Sequence, residues 1–201
     1  MKVLIDNGHG KETAGKRSPV WADGSQLFEW RYAREIAVML EQELGQRGIN
    51  VMRIVPEDTD VSLRERCYRV NKLCAKVGAK NCLLVSIHCN AAGSAGKPMQ
   101  ARGWSVFVGL NASQNSKSLA TLFSASAEAQ GLKVRVSSPK QRYWVQNLAM
   151  CRDTKCPAVL TENLFMDNEQ DCKFLLSNEG KQKIVAIHVQ AIINYINSMT
   201  S

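Results

Sequence analysis

The chain has 201 residues, 45% of them hydrophobic and 22% charged, with a formal net charge of +8. That length suits one domain with a large core, and no stretch approaches the roughly 20 apolar residues of a membrane-spanning helix. The basic balance favours anionic partners such as nucleic acid, a membrane surface or a charged wall polymer, but the basic residues are scattered without runs, as on an ordinary soluble surface.

The seven cysteines, at 67, 74, 82, 89, 151, 156 and 172, contain no CxxC pair, and their odd number leaves at least one thiol free. That excludes a zinc ribbon and any evident disulfide framework, and it suits synthesis in a reducing compartment. Met1-Lys2 leads into only three strongly apolar residues before Asp6, which does not read as a secretory signal. The expectation is a chain made for the cytoplasm, or one whose export signal has been removed.

In chain order, residues 3–5 read as a short buried strand. Residues 27–44 read as a helix, with apolar or small residues at 27, 30, 33, 37, 40 and 44, close to the 3.6-residue period. Asp23 or Ser25 is the expected cap, and Gly45 or Gly48 the expected stop. Residues 50–55 form a second strand and 61–77 a second helix, ended by Gly78. Residues 81–87 (NCLLVSI) are a nearly continuous apolar strand, followed by a strand at 103–108 and a helix at 116–129. The stretch 132–150 gives no clear pattern beyond a strand and a loop. A short strand at 158–160 precedes two closing helices at 169–176 and 180–197. Strands alternating with long helices predict one α/β domain over residues 1–201, a mostly parallel twisted sheet with helices on both faces.

Ligands of such sheets lie beyond the carboxyl ends of the strands. His9 follows the first strand; His88, Cys89 and Asn90 follow the third; Thr161, Glu162 and Asn163 follow the last. A catalytic zinc site needs about three His, Asp, Glu or Cys ligands and one open position. His9 and His88 supply two, and Glu29, in the first turn of the first helix, is the best third. Each has a plainer reading alone: a polar residue in a glycine turn, a histidine at a sheet edge, a favourable charge at a helix start. Their convergence on one end of one sheet favours the metal site. Glu162 follows an apolar strand, so burial should raise its pKa into the range useful for proton transfer. Cys89 is expected to face the core, because strand side chains alternate. His188, inside the last helix, reads as a partly buried or surface residue.

The opening stretch also approaches a phosphate-binding loop. Gly10 to Lys16 matches GxxxxGK, but Arg17 stands where Ser or Thr would bind magnesium, and residues 18–25 (SPVWADGS) read as loop rather than helix. The nucleotide-binding reading therefore fails.

Five segments together resemble the zinc-dependent N-acetylmuramoyl-L-alanine amidases, the family of bacterial cell-division and sporulation amidases and many phage endolysins. They are LIDNGHG, LFEWRYAREIAVMLEQEL, VSLRERCYRVNK, LLVSIHCNA and PAVLTENLFMDN, and the likeness covers essentially the whole chain. The resemblance implies one zinc ion held by His9, Glu29 and His88, with Glu162 as catalytic acid/base. It implies peptidoglycan as substrate, cleaved between N-acetylmuramic acid and L-alanine. Asn90 and Asn163 are candidate substrate-binding donors. The chain departs from the family pattern at Asn7 (usually proline), Val70 (usually alanine), Leu164 (commonly glycine) and in a longer segment 11–25.

Some cell-division relatives carry an inhibitory helix after the His-x-Asn segment; the short, proline-containing stretch 91–101 has no room for one, so an open site is expected. The implied protein is a monomer acting at the cell wall, periplasmic or extracellular, without membrane insertion or nucleic acid, and a phage or prophage lysin fits. Two rivals stay open: a zinc peptidase acting on stem peptides, and a basic nucleic-acid-binding domain using the four tryptophans and four tyrosines, although no binding motif accompanies them.

Overall fold

The computed structural model describes residues 1–93 and 96–199. Six strands form one sheet: β1 (Lys2–Asn7), β2 (Asn50–Arg53), β3 (Cys82–Asn90), β4 (Ser105–Gly109), β5 (Trp144–Gln146) and β6 (Ala158–Phe165), in the order β2-β1-β3-β6-β4-β5. The β1–β2, β1–β3, β3–β6 and β4–β5 pairings are parallel, and β4 is antiparallel to β6. The strands carrying the candidate residues, β1, β3 and β6, are consecutive neighbours running the same way. Their carboxyl ends therefore meet at one edge.

Both faces of the sheet are covered, as expected of apolar strands buried on two sides. One layer packs α1 (Glu29–Gln46), α3 (Gln114–Ala129), α5 (Glu169–Leu176) and α6 (Asn178–Ser198) over Val3, Ile5, Leu83, Val85, Ile87 and Val159. The other packs α2 (Leu63–Val77) and the single turn α4 (Ala149–Arg152) over Leu4, Leu84, Phe107 and Leu160. The alternation along β1 and β3 thus sends odd-numbered residues to one layer and even-numbered residues to the other.

Three elements differ from the sequence reading. Helix α1 starts at Glu29 with Phe28 as its N-cap residue, and no side chain caps it. Asp23 and Ser25 close a local turn instead, Ser25 N and Oγ donating to Asp23 Oδ1 at 3.0 and 2.6 Å. The chain before the helix is held extended: Arg17 and Phe28 form an antiparallel bridge, Ser18 N donates to Leu27 O, and Glu29 N donates to Lys16 O. Strand β6 runs on through Thr161, Glu162 and Asn163 to Phe165. Its polar residues look like a strand end in sequence, yet Thr161 and Asn163 are fully buried and hydrogen-bonded. Within 132–150, only the edge strand β5 and α4 form.

The β3–β4 connection contains no helix among the described residues. It is pinned to the end of β6: Asp167 Oδ2 accepts Ala92 N and Gly93 N at 2.7 and 2.9 Å, and Met99 N donates to Asp167 O. No helix among the described residues is long and apolar enough to cross a membrane.

Candidate metal centre

The glycines of Gly8-His9-Gly10 are required by close approach. A Cβ at Gly8 would lie 2.2 Å from His88 Cε1, and one at Gly10 would lie 2.2 Å from the Asp60 backbone. His9 itself sits at φ 63°, the left-handed region that costs a residue with a Cβ of order 1 kcal/mol. This bend at the end of β1 turns the imidazole back toward the start of α1.

There His9 Nε2 stands 3.3 Å from Glu29 Oε2, and His88 Nδ1 stands 3.1 Å from Glu29 Oε1. One ligand atom from each of the three residues lies within 4.8 Å of the others. Ligands about 2.0–2.2 Å from a tetrahedral ion are roughly 3.3 Å apart, so these spacings suit a shared cation. The donor chemistry points the same way. Glu29 is buried; Cys89 N donates to its Oε1 at 3.0 Å, while its buried Oε2 meets only His9 Nε2, at 3.3 Å.

The electrostatics describe a carboxylate between two imidazoles. Burial by itself would raise the Glu29 pKa, but hydrogen bonds from His88 and His9 and their charges hold it well below the usual carboxylate range. Burial pushes His88 down, and the Glu29 hydrogen bond and charge outweigh it, so its pKa rises. Protons on the imidazoles satisfy Glu29 here, in the positions a divalent cation would take.

Glu162 is the direct β-sheet neighbour of His88: the two are Cα partners in the parallel β3–β6 register. It is half-buried, and its Oε2 has no hydrogen-bond partner. Burial pushes its pKa up to about 7; the neighbouring His88 charge pulls it down, Glu29 pushes it up and Lys16 pulls it down. A carboxyl poised there can take and return a proton near neutral pH.

The structure thus brings His9, Glu29, His88 and Glu162 together, with half-exposed Asn90 two residues beyond His88 at the end of β3. It does not bring Asn163 to them. Asn163 is fully buried on the opposite side of β6, where Oδ1 accepts Trp104 Nε1 at 2.8 Å and Nδ2 donates to His88 O at 2.9 Å. Cys89 is buried in the larger core layer, and burial, with the Glu29 and Glu162 charges, pushes its thiol pKa well up. His188 also differs from expectation. It is completely buried, its Nδ1 donating to Ile184 O at 2.7 Å and its Nε2 meeting Thr161 Oγ1 at 3.0 Å. The sequence reading missed the groups behind the ligands, Asp6, Ser86, Arg34 and Arg66. All four lie within the resembling segments; apolar neighbours hid Asp6 and Ser86, and neighbouring charges hid Arg34 and Arg66.

A parallel α/β sheet whose strand ends gather two imidazoles and a carboxylate, with a second carboxylate alongside, is the arrangement of a hydrolase built on a candidate divalent-metal site. Residues 3–194 match the family model described as N-acetylmuramoyl-L-alanine amidase, and the chain belongs to that family. It is 28% identical over 199 residues to the N-acetylmuramoyl-L-alanine amidase CwlM of Bacillus licheniformis, covering 98% of this chain and 69% of that protein. It is 28% identical over 198 residues to the endolysin of Bacillus phage SPP1, covering 97% of this chain and 66% of that protein. Among solved structures, the fold is similar to that of the catalytic domain of CwlV from Bacillus (Paenibacillus) polymyxa, with TM-score 0.77 and 24% identity over 98% of both chains. The N-acetylmuramoyl-L-alanine amidase of Clostridium difficile 630 gives TM-score 0.79 and 24% identity, over 98% of this chain and 97% of that one.

Proposed function

We propose that the domain, residues 1–201, hydrolyses the amide bond between N-acetylmuramic acid and L-alanine in peptidoglycan, using one zinc ion held by His9, Glu29 and His88. When bound, the ion supplies a Lewis acid for the scissile carbonyl and lowers the pKa of water toward neutrality. Glu162 takes the proton of the attacking water and returns it to the departing amine of L-alanine. Asn90, half-exposed two residues beyond His88, donates a hydrogen bond to the substrate. The observation that carries this reading is the convergence of three ligand atoms within 4.8 Å beside a carboxyl on the adjacent strand. The His9 and His88 side chains are 18% and 15% exposed, which supports an accessible centre. The protein then acts at the cell wall as a monomer, and its net charge of +8 suits an anionic polymer.

The test is zinc content after dialysis, followed by the new ends released from purified cell wall. One zinc per chain and new L-alanine amines, without new reducing sugar ends, are expected. New amines within the stem would instead mean a peptidase, and retarded DNA without bound zinc a nucleic-acid-binding domain.

A further inference from the structure

We infer that Arg66 is a positioning residue that sets both histidines of the metal centre at once, fixing the tautomer of His88 through Asp6 and Ser86 and the backbone of His9 through its carbonyl. The inference rests on the metal-site reading above and adds to it how the ligands are held.

Arg66 projects from α2 with 2% of its side chain exposed. Four of its five N–H donors are hydrogen-bonded to groups at the end of β1 or just before α2, and Nη2 also lies 3.5 Å from Asp60 Oδ1. Nη1 donates to Asp6 Oδ1 at 2.7 Å and to Asn7 O at 2.8 Å, Nη2 donates to His9 O at 2.9 Å, and Nε donates to Val61 O at 2.7 Å. A buried guanidinium so saturated is fixed in place, and its planar fork suits bridging two acceptors.

The first branch runs through Asp6, which is 1% exposed. Its second oxygen, Oδ2, accepts from Ser86 Oγ at 2.5 Å, and Ser86 Oγ lies 3.2 Å from His88 Nε2. The hydrogen-bond inventory then decides the tautomer. A carboxylate only accepts, so the one hydroxyl proton of Ser86 goes to Asp6. Toward His88 the hydroxyl can offer only a lone pair, so Nε2 must carry the proton. Nδ1 is then the nitrogen that faces Glu29 Oε1, 3.1 Å away, and its lone pair becomes free for a metal when that nitrogen gives up its proton. A relay that protonates the far nitrogen thereby prepares the near one as a ligand, as outer partners of metal-bound histidines do.

The second branch acts on His9. Its left-handed backbone is held by two guanidinium groups converging on one carbonyl: Arg66 Nη2, and Arg34 Nη1 at 3.1 Å. These charge-assisted bonds offset the local strain and keep Nε2 aimed at Glu29 Oε2. The two imidazoles come from separate strands, yet they share one anchor in α2.

The test uses the zinc-loaded protein. Nitrogen-15 NMR of the imidazoles is expected to find the His88 proton on Nε2 and zinc on Nδ1. Ser86→Ala should weaken zinc binding about 10–100-fold in chelator competition and change the visible spectrum of the cobalt-substituted protein. Ser86→Thr, which keeps the hydroxyl, should restore both. Arg66 is buried deeply enough that Arg66→Lys risks misfolding, so Ser86→Ala and the wild-type NMR carry the test. Zinc bound to wild-type protein through His88 Nε2, or a folded Ser86→Ala variant with unchanged affinity and spectrum, would overturn the relay. Wild-type protein that binds no zinc would overturn the metal reading itself.

Discussion

His88 and Glu162 are Cα partners across two parallel strands, so an imidazole and a carboxyl with a pKa near 7 project side by side from one face of the sheet. Nothing flexible separates them, because each sits within a strand buried in the sheet's centre. Glu162→Gln keeps shape and removes the proton acceptor. Its rate of amine release from cell wall should fall about 10²–10⁴-fold while zinc content stays at the wild-type level. Loss of the ion together with the activity would instead make Glu162 a ligand.

Gly8 bears on the same centre from below. An added methyl would start 2.2 Å from His88 Cε1, and the imidazole has no slack, since Ser86 and Glu29 hold its two nitrogens. Gly8→Ala is expected to displace the ring, lower zinc affinity by at least about tenfold and leave far-UV circular dichroism unchanged. Full affinity in this variant would show that the ring can move freely.

Much of this was legible in the sequence because it depends on periodicity. Apolar tracts such as Leu83–Ile87 specify buried parallel strands, and polar residues following them specify the sheet edge where chemistry can sit. His9, His88 and Glu162 were visible for that reason, and Glu29 by its place in the first turn of the helix that follows. Burial of polar groups by partners far along the chain was not. Asn163 looked like part of the site but faces Trp104, and His188 looked peripheral but is sealed against Thr161. Arg66 looked like one charge among many on a helix, and its role depends on Asp6 and Ser86, 60 and 20 positions away. The departure at Leu164 now has a physical setting too. That residue sits at φ 64°, where glycine is unstrained, and its buried side chain offsets the cost.

The departure at Asn7 makes its own prediction. Asn7 is completely buried, and neither its Oδ1 nor its Nδ2 has a hydrogen-bond partner. Desolvating polar atoms without pairing them costs about 1–3 kcal/mol. Asn7→Leu keeps the branched outline with larger end groups and leaves the backbone carbonyl available to Arg66. It should raise the melting temperature of the metal-free protein, at roughly 2–4 °C per kcal/mol for a chain of this size. A lower melting temperature would mean that the amide finds partners after all.

His188 gives the fold a pH dependence separate from the metal centre. Burial lowers its pKa to about 4, against the opposing hydrogen bond to Ile184 O. In the unfolded chain an ordinary histidine takes up its proton near pH 6.5. Between those values the unfolded state binds a proton that the folded state does not, so stability must fall as pH drops from above 6.5 toward 4 and level off below it. At about 1.4 kcal/mol per pKa unit, the loss by pH 4.5 is roughly 2–3 kcal/mol. His188→Gln is neutral throughout and removes this contribution whatever it does to overall stability. Urea unfolding of both proteins at pH 7.5 and 4.5, with chelator present so that metal release does not contribute, isolates it. The wild-type protein should lose more stability than the variant by that amount. Parallel losses in the two proteins would mean that His188 is protonated in the folded state and that its surroundings accommodate the charge.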